Sequence, residues 1–229
     1  MFFAERIKNI KPGDKVLEIG PGSTPHPRSD VFLEKIYTDM DEFRMQRGNM
    51  PEFVTDKKVV HYQGDVFPFA DKEFDYVICS HVLEHVPDAE IFLEEVFRVG
   101  KRGYLEFPTI YYDYLYNFPV HTLFLLYEDN VIKWMKKSES QLAVFSEVQY
   151  LFHQSLLKEH YGLVDSLKEY FFQGFEWENE VKRKKVASLI DVCYRRQDIM
   201  LKQVIPPKKK ISTYNRIKHE VKKRLPFKT

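Results

Sequence analysis

Cysteine is scarce in this chain: Cys79 and Cys193 are the only two among 229 residues. They cannot build a disulfide framework, and neither sits in a Cys-x-x-Cys pair, so a reducing compartment is expected. Long apolar runs are missing as well. None approaches the ~18 residues that mark a membrane span, and the opening "MFFAERIKNI" is too short and too charged for a signal peptide. The expectation is a cytoplasmic protein. Internal repeats are absent, and low complexity is confined to the segment after "IPPKKK" (205–210). What remains is ordinary for a globular chain, 44% hydrophobic and 30% charged, long enough for one domain, or one domain with an appendage.

A net charge of only +1 hides an asymmetry. Residues 202–229 hold ten Lys or Arg and one acid, Glu220, whereas residues 1–201 hold 25 basic and 33 acidic groups. An acidic body of residues 1–201 therefore carries a basic tail at 202–229.

The first half alternates strand and helix signals. Phe2, Phe3, Ile7 and Ile10 predict a short leading helix stopped at "KPGD". "KVLEIG", "VVHYQGD" (59–65), "FDYVICSHV" (74–82) and "GYLEFPT" (103–109) are short apolar runs bounded by Gly, Pro or Asp, as in the interior of a parallel sheet. Between the last two, Asp88 is a helix N-cap, Phe92/Val96 and Leu93/Phe97 are i,i+4 pairs, and Gly100 is the stop. "DVFLEKIYTD" is either one strand or a brief helix followed by the strand "KIYTD", so the acid ending it is Glu34 or Asp39. Nine aromatics crowd residues 104–127. The segment "LAVFSEVQYLFHQSLLKEHYG" predicts a long helix, and "YFFQGFEWEN" a strand or hairpin closing the domain. The pattern argues for an α/β sheet with right-handed crossovers.

The chemistry concentrates in "KVLEIGPGSTPHPRSD", residues 15–30. Open α/β sheets bind ligands beyond the carboxyl ends of their strands, and Gly20 and Gly22 allow a sharp turn against which a ligand can press. A pyrophosphate would need a third glycine and a helix N-terminus, but Pro25 and Pro27 stand there instead. A nucleoside without phosphate makes no such demand. An acid at the end of strand two, Glu34 or Asp39, suits ribose hydroxyls. Asp65 suits an adenine amino group with Val66 on the ring, and Glu18 suits the glycine loop or an amino group.

The ordered set "VLEIGPG", strand-end acid, "GDVFPFADKEFDYVICSHVLEHVPD" and "RVGKRGYLEFPT" resembles class I S-adenosylmethionine-dependent methyltransferases over residues 13–110. The resemblance implies S-adenosylmethionine as cofactor and a doubly wound, Rossmann-like, mainly parallel sheet. Aromatic and helical acceptor-side elements would follow at about 111–201, ahead of the basic C-terminal tail. It implies cofactor contacts at Glu18, Gly20, Pro21, Gly22, Asp65, Val66 and Ser80. "STPHPRSDVFLEK" departs from the common pattern because the helix after the first motif is shortened or absent. It is similar to a bacterial type 11-like branch associated with surface-glycan biosynthesis, whose ribose acid falls at Glu34; the commoner spacing selects Asp39.

A hydroxyl acceptor benefits from a base. His81, after strand four, and His121, in "NFPVHTLF", are the candidates, while His85 reads as a structural residue at the helix start. The tyrosines of 111–116 either wrap the core or stack against a polar ring. No Asn/Asp-Pro-Pro-Tyr element for nitrogen methylation and no carboxylate cluster for metal-dependent chemistry is evident, so no metal ligands are expected. The expected activity is O-methylation of a sugar or other small polar acceptor in surface polysaccharide biosynthesis. The rivals are an RNA methyltransferase, favoured by the tail but not by the acidic body, and a non-catalytic adenosyl-binding scaffold. The tail, "YNRIKHEVKKRLPFK", places Tyr214, Ile217, Val221 and Leu225 on one helical stripe. That suits an anionic membrane surface, RNA, or a disordered end.

Overall fold

A computed structural model describes residues 1–37, 54–140 and 146–199. Asp39 and the basic tail lie outside the described residues. A six-stranded sheet forms from β1 (Val16–Ile19), β2 (Val31–Lys35), β3 (Lys58–Tyr62), β4 (Tyr76–Ser80), β5 (Arg102–Pro108) and β8 (Phe172–Glu178), in the order β3-β2-β1-β4-β5-β8. The first five strands run parallel, and β8 pairs antiparallel with β5. Burial on both faces explains why β1 and β4 read as uninterrupted apolar runs rather than alternating ones. Leu17, Val77 and Leu105 face one apolar cluster and Val16, Tyr76, Ile78 and Tyr104 the other.

The crossover helix α1 (Ala89–Val99) joins β4 to β5, capped by Asp88, whose side chain accepts from the amides of Glu90 and Ile91. Its Phe92, Leu93, Val96 and Phe97 are buried on the sheet, as their i,i+4 spacing requires. Within "DVFLEKIYTD" the strand β2 occupies Val31–Lys35 with no helix before it, and residues 38 and 39 lie outside the described residues. No helix separates β1 from β2; the proline-bearing loop is closed by a mutual pair, the Asp30 amide on the Val16 carbonyl at 2.9 Å and the Val16 amide on the Asp30 carboxylate at 2.8 Å.

Several expectations need correction. The leading helix is a single 3-10 turn, Ala4–Arg6, because the buried Phe3 is fastened to β5 rather than to its own helical face. The long helix expected over 142–162 ends early, as α3 (Ser146–Leu157) among the described residues, and a further helix, α4 (Gly162–Phe171), follows it. The break falls at Glu159, where the backbone turns left-handed. Of the two forms expected for "YFFQGFEWEN", it takes the first, the strand β8. The aromatic block splits into α2 (Ile110–Tyr116) and the hairpin of β6 (Leu123–Glu128) and β7 (Val131–Lys136).

The β6–β7 hairpin was not foreseen. Its two-residue turn, Asp129-Asn130, has positive φ at both positions, the backbone that matches strand twist and that Asp and Asn tolerate. β9 (Lys182–Lys185) pairs with β7 to complete a second, three-stranded sheet. Arg183 on β9 bridges to Glu90 and Glu94 of α1, which holds this small sheet beside the large one. Among the described residues no helix is long and apolar enough to cross a membrane.

Gly103 shows how closely β5 is packed: a Cβ there would lie 2.2 Å from the Val77 carbonyl oxygen and 2.8 Å from the Trp177 ring. Gly103→Ala is therefore expected to destabilise the chain by about 2–3 kcal/mol. Gly162→Ala, where a Cβ meets nothing within 4 Å, should be neutral or stabilising by up to ~1 kcal/mol. Urea unfolding of the two variants checks the contrast.

Candidate functional site

β1 lies between β2 and β4, so the strand order reverses there and the chain leaves the sheet in opposite directions. The crevice beyond the carboxyl ends of β1 and β4 is the place such a sheet offers a ligand. A cleft of ≈730 Å³ opens there. Gly20 turns into it at φ +59°, and a Cβ at that position would lie 2.7 Å from Val82 Cγ2, across the crevice. Gly22 follows at φ +61°. The two glycines are required for different reasons: Gly20 by close approach and conformation together, Gly22 by conformation.

Glu18 fixes the loop behind this turn. It is buried, and its Oε2 accepts from the His26 amide at 2.8 Å and the Ser29 hydroxyl at 2.5 Å. Burial outweighs these two bonds and lifts its pKa to about 7. A carboxyl poised near neutrality on the cleft wall gains charge when a cation settles against it. On the β2–β3 side, Leu33, Glu34, Tyr62, Asp65 and Phe67 complete the wall.

The β4–β5 side is organised by Glu106. This buried carboxylate accepts from the amides of Phe2 at 2.6 Å and Phe3 at 2.9 Å, from Ser80 Oγ at 2.9 Å, and from the Tyr104 hydroxyl at 2.6 Å. His81 Nε2 lies 2.9 Å from it as well, and the His81 amide donates to the Glu106 carbonyl at 2.9 Å. These bonds hold His81 at φ +57°, a left-handed backbone uncommon outside glycine. Burial disfavours charge on His81, but its bond to Glu106 and the proximity of Glu84 lift its pKa to about 9. An imidazolium clamped between carboxylates has no lone pair to offer. The geometry thus argues against His81 as a base and makes it a fixed positive charge at the cleft.

A second group was not foreseen from sequence. After β4 the chain makes a 3-10 turn, Leu83–His85. Thr122, at the start of β6, fastens to that turn: its amide donates to the Glu84 carbonyl at 2.7 Å and its hydroxyl to the Val86 carbonyl at 2.9 Å. His121 is thereby brought onto His85, with ring centroids 4.6 Å apart at 89°. His121 Nδ1 is paired with the buried Asp113 of α2, and Phe118 stacks on the same ring. His85 Nδ1 donates to the Val120 carbonyl at 3.2 Å. Burial holds the His85 pKa down, to about 4, so its ring is neutral. Ligand-type atoms of Glu84, His85 and His121 all lie within 4.8 Å of one another.

The cleft therefore gathers Glu18, Gly20, Pro21, Gly22, Glu34, Asp65, Ser80, His81 and His121 from the sequence expectations. Val66 is not among them. It is 68% exposed, whereas Phe67 is 2% exposed and packs on Tyr62 and Phe92. The apolar contact expected of Val66 is one residue further along, because Asp65 ends in a turn and the next side chain points to water. Of the tyrosines at 111–116, Tyr112 lines the cleft, Tyr116 is core, and Tyr111 stacks on Tyr194. Phe2 and Phe172 also form the wall, their rings stacked at 3.9 Å. No local pattern pointed to them, since their positions follow from Glu106 and from β8.

A family model described as a methyltransferase domain matches residues 17–105, that is β1 to the middle of β5. The chain is 34% identical over 101 residues to the sterol 24-C-methyltransferase erg6 of Schizosaccharomyces pombe, covering 41% of this chain and 27% of that protein. The chain thus spans about a quarter of the length of the curated relative it matches. Among solved structures, a SAM-dependent methyltransferase of Thermotoga maritima is 24% identical, with 46% of this chain and 49% of that one covered and a TM-score of 0.32. An S-adenosylmethionine-dependent methyltransferase of Mesorhizobium loti is 10% identical, with 72% and 91% covered and a TM-score of 0.39. The family match, with the mostly parallel sheet and its glycine turn, supports a class I methyltransferase of the S-adenosylmethionine-dependent kind.

Glu18 gives a measurable pH signature. Its carboxyl is raised in the folded chain from an ordinary 4.5 to about 7. Its contribution to stability is fully present below pH 4.5 and lost as pH rises through about 7. Glu18→Gln should flatten that decline, so that the wild-type loss between pH 5 and 7.5 exceeds the variant's by on the order of 2 kcal/mol in denaturant melts. Equal slopes would show that Glu18 does not titrate as described.

Proposed function

We propose that the chain transfers a methyl group from S-adenosylmethionine to a hydroxyl of a polar acceptor, a sugar or glycan precursor. The observation that carries the reading is the Gly20–Gly22 turn at the β1/β4 crevice, facing an acid-lined wall and continuous with an aromatic, histidine-bearing side. The cofactor fits the residues present. It carries two positive charges and one negative, and Glu18, Glu34 and Asp65 all line the cleft. The absence of a helix N-terminus behind the turn matches a nucleoside without phosphate.

In this reading Gly20, Pro21 and Gly22 admit the methionine portion, with Glu18 toward its ammonium. Glu34 takes the ribose hydroxyls; Asp65 and the ring of Phe67 take the adenine. Ser80 and His81 cap the cofactor on the β4 side. When bound, the cofactor supplies a methyl on a sulfonium whose sulfur leaves without needing a proton. The chain's own task is then alignment of the acceptor, an effect worth several kcal/mol, and removal of its proton. The neutral His85 has an unprotonated nitrogen for it, and His121, oriented by Asp113, stands against that ring.

The match to a sterol methyltransferase favours a second reading, carbon methylation of an apolar, sterol-like acceptor. His85, His121 and the Tyr112 hydroxyl on the acceptor side support the polar acceptor instead, because an apolar acceptor would leave polar groups of the wall without partners.

Calorimetry should show binding of S-adenosylmethionine and S-adenosylhomocysteine by the full chain. Gly20→Val should abolish it through the clash with Val82, and Glu34→Ala should weaken it by roughly tenfold or more. Transfer of labelled methyl to sugar nucleotides or glycan fractions, with sterols and RNA as parallel acceptors, tests the substrate class. Unchanged binding in both folded variants removes the basis of the proposal, and labelling confined to sterol or RNA removes its acceptor.

A further inference from the structure

Glu84 has no exposed side-chain surface, and neither of its carboxylate oxygens receives a hydrogen bond. A buried carboxylate left in that condition is costly unless a cation completes it. His81, whose Nε2 is bonded to Glu106, gives Glu84 one ion-pair contact, Nδ1 at 3.3 Å from Oε1, and leaves Oε2 without a partner. The other neighbours are ligands rather than donors. His85 uses Nδ1–H on the Val120 carbonyl, which leaves the Nε2 lone pair 3.9 Å from Glu84 Oε1. His121 uses Nδ1 on Asp113, which leaves its Nε2. Metal-binding histidines almost always donate their second ring nitrogen to a carboxylate or a backbone carbonyl, and here there is one of each.

We propose that Glu84, His85 and His121 form a divalent-metal site of the zinc type on the acceptor side of the cleft. The three ligand atoms lie within 4.8 Å of one another. Bonds of ~2.0–2.2 Å at tetrahedral angles place two ligands about 3.3–3.6 Å apart. The Glu84–His85 separation of 3.9 Å is slightly wider than that, so an ion bound here draws its ligands inward. Two imidazoles and one carboxylate favour Zn2+ or Co2+ over Mg2+ or Ca2+. Three protein ligands leave at least one coordination position open, and all three line the cleft beside Tyr112, Phe118 and Phe172.

What the ion does rests on the methyl-transfer reading. Bound in the open position, an acceptor hydroxyl loses its proton to solvent more readily because the cation stabilises the oxyanion. That oxygen then forms a bond to the sulfonium methyl as the carbon–sulfur bond breaks, and the electron pair stays on sulfur. His121 is then a ligand and not the base.

The test uses the full chain, stripped with a chelator and titrated with Co2+. One equivalent should bind with visible d–d absorption, and Zn2+ should displace it. Glu84→Gln and His85→Asn should each weaken binding by ~100-fold or more, and Asp113→Asn by ~10–100-fold, while His160→Ala, on the exposed surface, should leave it unchanged. Circular dichroism melts report whether each variant folds, and the cobalt spectrum of the unaltered chain stands apart from any variant. Failure of the unaltered chain to bind Co2+ or Zn2+, or binding that Glu84→Gln and His85→Asn leave intact, overturns the site. S-adenosylmethionine binding measured on the same samples separates the two ideas: if it is absent while metal binds, the site stands and its role in methyl transfer falls.

Discussion

The arrangement of the cleft depends on one buried carboxylate. Glu106 gathers two amides from the N-terminal segment, the Ser80 and Tyr104 hydroxyls and the His81 ring. Ser80 and Tyr104 reach it from β4 and from its own strand, while the N-terminal amides are brought in from outside the sheet. Without the carboxylate, Phe2 has no anchor to stack on Phe172, and His81 has no reason to hold a left-handed backbone. Burial opposes a charge on Glu106, but His81 and the converging donors hold it ionised, at about 2. A group of this kind fixes a single arrangement more than it adds stability. It explains why the acceptor side is built from residues distant in sequence.

The two sheets then divide the work. The parallel sheet ends its β1 and β4 strands at a crevice and gives it a glycine turn on one side and a fixed imidazolium on the other. The small sheet contributes by where it is tied. Thr122 binds the turn that carries Glu84 and His85, and this sets His121 and Asp113 against them. The acceptor-side groups thus meet where the start of the small sheet is fastened, through Thr122, to the turn that follows β4.

Much of this was legible in the sequence, for local reasons. β1, β4, β5 and α1 are specified by apolar runs, an Asp cap and i,i+4 pairs, all of which act within a few residues. The missing helix after Gly22 was legible because proline forbids it. Glu18, Gly20 and Asp65 were legible because sheet topology alone carries strand ends to the crevice. The β6–β7 hairpin was overlooked although Asp129-Asn130 between apolar segments is a turn signal; the surrounding aromatics suggested core wrapping instead. Glu84 and Glu106 were not legible, since a buried acid within a strand or turn looks like any other acid until its distant donors are known. The carboxylate surroundings of His81 were hidden for the same reason, because its two acidic neighbours lie three and 25 positions away.

The central claim is that the β1/β4 crevice holds an adenosyl sulfonium with its methyl directed at the histidine-bearing side. A crystal structure of the full chain with S-adenosylhomocysteine tests it most directly. The account predicts the amino-acid portion against Gly20–Gly22, the ribose at Glu34, and the sulfur toward His85 and His121. A ligand seated elsewhere, or one lying with its adenine against His85 and His121, would contradict it.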